Sequence, residues 1–131
     1  MMKKTIIGLF CLMLFYGTTY ADARQFQILQ KTAEGGDAAA RNKLGVFYEI
    51  GLGVEQDYRE ALKWFRLSAG QGYAEAQLNL GQMYEDGRGV TKNTGTALEW
   101  YKKACDNGLE CGCRRYRLLS GQSAGDTSRS E

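Results

Sequence analysis

The chain has 131 residues, 24% of them charged, with a formal net charge of +2 and no histidine. That length supports one domain with one modest core. The near-balanced charge gives no global reason to expect nucleic acid or a strongly acidic partner. The missing imidazole excludes Ser-His-Asp and Cys-His catalysis and histidine general bases within this chain.

The first element is a targeting segment. Met1–Lys4 supplies a positive start, Thr5–Gly17 an apolar run, and T-T-Y-A-D-A small-residue cleavage sites after Ala21 or Ala23. This is the pattern of a secretory signal peptide over residues 1–23. The apolar run is shorter than the roughly 20 residues of a membrane span. The mature product is therefore expected in the periplasm or outside a bacterial cell, in an oxidising compartment, with no stable membrane span.

The body of the chain repeats itself. Offsetting it by thirty-six positions lays Ala33–Ser68 over Ala69–Ala104 without a gap, and fourteen pairs are identical, among them Ala40/Ala76, Leu44/Leu80, Gly45/Gly81, Tyr48/Tyr84, Glu49/Glu85, Gly53/Gly89 and Trp64/Trp100. A fixed period of this length is the mark of stacked repeats. Ahead of the first unit, residues 24–34 read as a lone second helix. Phe26, Ile28 and Leu29 fall under Leu62, Trp64 and Phe65 at the same offset.

Each unit reads as two helices. Ala40, Leu44, Phe47 and Tyr48 form one apolar stripe at helical spacing. Gly51 and Gly53 end that helix, and Asp57, or Asn93 in the next unit, caps the second. The second helix carries Ala61, Leu62, Trp64, Phe65 and Ala69, with both tryptophans on its apolar face. After the second unit, residues 110–119 read as a capping helix, because Tyr116 and Arg117 stand where Leu80 and Gly81 stood. Residues 120–131 are small and polar and read as a disordered tail. The expected class is all-α, an α/α solenoid of about two repeats with a half-repeat at each end.

The pattern A-x-A-x-x-x-L-G-x-x-Y-E-x-G-x-G-V, followed by A-L-x-W-[FY]-[RK] and A-x-x-G-x-A-x-A, resembles the Sel1-like repeat family, a relative of tetratricopeptide repeats. The match runs from about Ala33 to Gly108. The weak helix start Thr94-Gly95-Thr96 and the degraded last helix depart from it. The resemblance implies a solenoid that acts as an adaptor or scaffold for another protein or peptide.

Without the targeting segment, three cysteines remain: Cys105, Cys111 and Cys113. A turn through Asn107 and Gly108 would bring their helices together. A Cys105–Cys111 pair, free thiols and an intermolecular bridge through the odd cysteine all fit the residues. The resemblance to the cysteine-rich secreted Sel1 subclass implies a Cys105–Cys113 disulfide. The same subclass suggests a weak β-lactamase or penicillin-binding alternative, although S-x-x-K is absent. No metal site, cofactor or catalytic residue is expected, and Glu49 and Glu85 should bind neighbouring groups. Expected partner contacts are Lys43, Val46, Asn79 and Gln82, off the buried stripe of the first helices, with Val46 expected to be exposed. Alternative roles are a structural subunit of a larger envelope assembly and self-association, since two and a half units are near the minimum for independent stability.

Overall fold

The structure is a computed structural model that describes residues 21–121; residues 1–20 of the signal segment expected over 1–23, and the tail beyond Gly121, lie outside the described residues. Among the described residues there are six helices and no strand. We number them α1 (21–34), α2 (Ala38–Ile50), α3 (Tyr58–Gly70), α4 (Ala74–Asp86), α5 (Thr94–Asp106) and α6 (Glu110–Leu119). Each packs on its neighbours in sequence, which is the layout of a solenoid. The described part of the first helix already includes residues 21–23, ahead of the start at 24 that the pattern predicts.

The loops repeat as closely as the helices. Asp57 caps α3 by accepting from the N–H groups of Arg59 and Glu60, and Asn93 caps α5 by accepting from Thr96. The Asp57 N–H donates to the Tyr48 carbonyl at 2.8 Å, and the Asn93 N–H donates to the Tyr84 carbonyl at the same distance. Gly53 takes a left-handed φ of 67° with its Cα against the backbone of Asp22; Gly89, also at 67°, lies against the backbone of Tyr58. Asp22 and Tyr58 are thirty-six residues apart. α1 therefore stands to the first unit as α3 stands to the second, and the repeat register reaches back to Asp22.

Two small residues set the helix spacing. A Cβ on Gly45 would fall 2.6 Å from the Phe65 ring, and one on Gly81 would enter the Tyr101 ring. The aromatic of each second helix thus lies flat against a bare stretch of its own first helix. Phe65 and Tyr101 are fully buried as a result. Burial of each such side chain removes enough apolar surface to contribute about 1.5–3 kcal/mol. Ala61, Leu62, Phe65, Ala69, Ala76, Leu80 and Met83 form one cluster between the units, and Ala33, Ala40 and Leu44 a second against α1. Trp64 and Trp100 pack half-buried on these clusters, in the role expected of them.

The Tyr101 hydroxyl donates to Glu85. Burial, then that hydrogen bond and the carboxylate's charge, push its pKa well above the ordinary tyrosine value. Tyr48 moves the same way, chiefly through burial. A raised folded pKa means the contribution is intact below about pH 10 and is lost as the unfolded phenol ionises above it. Stability should fall by about 1.4 kcal/mol per pH unit above 10 on account of Tyr101. Urea unfolding of the parent and of Tyr101→Phe between pH 9 and 11.5 checks this: the variant should lose that part of the slope, and equal slopes would refute it.

Candidate functional site

The first helices of successive units, α2, α4 and α6, present matching positions thirty-six residues apart. One row is Lys43, Asn79 and Arg115; a second is Val46, Gln82 and Leu118. Lys43 is exposed, and Asn79 and Gln82 are half-buried. Asn79 is already engaged: its amide donates to the Asn42 side chain at 2.9 Å, tying α4 to α2. Val46 is not the exposed contact expected from the sequence. It is half-buried and packs on the central cluster beside Tyr48 and Tyr84, because the solenoid folds α3 and α4 against that edge of α2. It forms part of the floor of the face.

The sequence pattern missed the third member of each row. Leu118 is 64% exposed, a large apolar side chain left in solvent at the end of the Val46–Gln82 row. Arg115 reaches back to Glu85 at 3.7 Å. The offset that places Tyr116 and Arg117 places Arg115 and Leu118 as well, although α6 has lost the Leu and Gly that mark a first helix.

Glu49 and Glu85 hold neighbouring groups. Glu49 pairs with Arg88 of the following unit, which also meets Asp86 at 3.2 Å; Glu85 accepts from Tyr101 and faces Arg115. The Arg66 guanidinium donates to the Tyr84 hydroxyl at 2.7 Å. These links fix the relative positions of the units, and with them the spacing of the face.

One position carries a tie in every unit. Arg41 donates through Nε to the Ala33 carbonyl at 3.0 Å, and Gln77 donates to the Ala69 carbonyl at 3.2 Å. Cys105 and Cys113 occupy the same two places thirty-six residues on, and there the tie is a disulfide, with the Cα atoms 4.4 Å apart. Second contacts repeat too: Arg41 with the Gln71 side-chain carbonyl at 3.0 Å, and the Asn107 amide with that of Gln77 at 2.8 Å. Cys111 is free and exposed. Among the described residues, no group of three or more His, Cys, Asp or Glu is arranged to hold a metal ion, and no helix is long and apolar enough to cross a membrane.

A family model described as Sel1 repeat matches residues 38–73 and 74–109, the same period framed five residues later than the sequence pattern suggested. A Sel1 repeat protein from Oxalobacter formigenes has a similar structure, with a TM-score of 0.72 and 35% identity over 76% of this chain and 41% of that one. Cysteine rich protein B of Helicobacter pylori is similar at TM-score 0.67 and 34% identity, over 70% of this chain and 69% of that one. A curated relative, the ERAD-associated E3 ubiquitin-protein ligase component HRD3B of Arabidopsis thaliana, is 45% identical over 51 residues, 37% of this chain. The chain spans only 8% of that relative's length.

In the chain-entropy picture, a bridge closing so short a loop contributes about 2–3 kcal/mol. Urea unfolding with and without reductant should show that loss. Cys111→Ser should leave the oxidised midpoint in place. An unmoved midpoint on reduction would show that the bridge does not stabilise the array.

Proposed function

The chain belongs to the Sel1 repeat family, whose repeats bind protein partners, and on that footing we propose that it is a non-catalytic adaptor acting in the bacterial periplasm or outside the cell. The observation that carries the reading is the ordered row of side chains along α2, α4 and α6, held at fixed spacing by the ties between units. Lys43, Asn79, Gln82 and Leu118 make the contacts, with Val46 as part of the floor. A face of half-buried Val46, Asn79 and Gln82 flanked by exposed Lys43 and Leu118 fits a peptide or a protein edge lying across the units. Nothing on this face resembles a nucleophile with an adjacent base.

The extracytoplasmic placement is supported by the Cys105–Cys113 disulfide, by the cysteine-rich relative and by the targeting pattern at the start of the chain. The register adds a detail: cleavage after Ala21 keeps the Asp22 backbone over Gly53, whereas cleavage after Ala23 removes it.

The test is affinity purification of the mature, oxidised protein from the envelope of its own cell, beside a variant carrying Lys43→Ala, Asn79→Ala, Gln82→Ala and Leu118→Asp. A partner captured by the parent and reduced at least tenfold with the variant is expected. A partner retained equally by both, or captured by neither, would overturn the reading.

A further inference from the structure

The two ends of the array are finished differently. Among the described residues, α1 is a second helix without a first, and α6 is a first helix without a second. At the α6 end, Arg117 stands at the position of Gly45 and Gly81 and pairs with Glu110 at 3.1 Å. Among the described residues, that end presents charge where a following helix would pack.

The α1 end is open. Between α1 and α2 lies a groove of about 430 Å³ lined by Gln25, Ile28, Leu29, Thr32, Lys43 and Phe47. The repeat register identifies it. Thirty-six residues on, the same six places are Ala61, Trp64, Phe65, Ser68, Asn79 and Met83. There, α2 lies against them. Phe65 is buried on Gly45, Ser68 donates its hydroxyl to the Ala38 carbonyl at 2.7 Å, and Asn79 bonds Asn42. In the groove, Ile28 is 60% exposed, Leu29 is half-buried, and the Thr32 hydroxyl turns back to the Ile28 carbonyl of its own helix. The groove is the seat of a first helix, continuous with the interface that α2 makes with α3.

We propose that this seat receives an acidic amphipathic helix from another protein, completing the half-repeat in trans. The register gives the chemistry of that helix. It carries a small residue where it crosses Leu29, as Gly45 crosses Phe65. It carries a carboxylate one turn earlier, in the place of Asn42, opposite Lys43. Arg24 and Lys31, one turn to either side of Ile28, are exposed, and no ion pair among the described residues uses either of them or Lys43. This rim favours a negative partner. A head-to-tail second copy does not fit, because it would bring Arg117 to the crossing point. The chain's own start does not fit either: in register, Lys4 falls at the place of Ala40 and Leu9 at that of Gly45. The surface lies at one end of the array and extends beyond the row proposed above, sharing Lys43 with it.

The test uses the oxidised mature protein and one probe, a labelled peptide with the sequence of Ala74–Asp86 carrying Leu78→Glu. It is stapled across its solvent side because a free helix of this length is marginal in water. Fluorescence anisotropy should show saturable binding that weakens with salt. Ile28→Asp, at an exposed position and checked for unchanged unfolding, should weaken binding at least tenfold, as should replacing the probe's glycine by leucine. Gln82→Ala should leave it unchanged, which separates this surface from the row on the first helices. Absence of saturable binding, or equal binding by Ile28→Asp, would overturn the proposal. So would sedimentation showing a dimer of the unliganded protein that Ile28→Asp abolishes, since a second copy would then fill the seat.

Discussion

Everything in this fold depends on how closely a second helix can approach its own first helix. Gly45 and Gly81 remove the side chain at the crossing point, and Phe65 and Tyr101 fill the space with an aromatic ring. Without a Cβ the axes come near enough for Ala40, Ala61, Ala76 and Ala97 to be buried around them. A helix pair of 13-residue helices has too little apolar surface to stand alone. Close crossing and stacking against the next pair supply what is missing, so the array behaves as a sum of units and the joints between them.

The joints show how one mechanical need is met by different chemistry. A tie between the end of one unit and the first helix of the next is made by an arginine, then a glutamine, then a disulfide. The middle joint has a helix pair on each side. Among the described residues, the last joint has only α6 beyond it, a helix of 10 residues with Gly112 as its one buried residue. A covalent tie suits a joint with so little packing to hold it, because it limits the freedom of the unfolded chain.

Much of this was legible in the sequence because repetition turns one chain into its own comparison. The helix pairs, the caps at Asp57 and Asn93 and the glycine-ended first helices all follow from positions that recur thirty-six apart. The candidate face was less legible. Val46 reads as a free position on a helical wheel, yet the packing of α3 and α4 half-covers it, and no local pattern encodes that. Leu118 and Arg115 were hidden by the decay of the third unit, where the residues that pack are lost while the positions that face outward remain. The open seat beside α1 emerges only when Ile28 and Thr32 are compared with Trp64 and Ser68 in three dimensions.

The central physical claim is that glycine and aromatic act as one unit at each crossing. A double-mutant cycle on Gly81→Ala and Tyr101→Leu, read by urea unfolding at pH 7, tests it most directly. Gly81→Ala should cost about 1–3 kcal/mol beside the tyrosine and markedly less beside leucine, with a coupling of at least about 0.5 kcal/mol. Costs that simply add would mean the two residues act independently, and the helix spacing would need another cause.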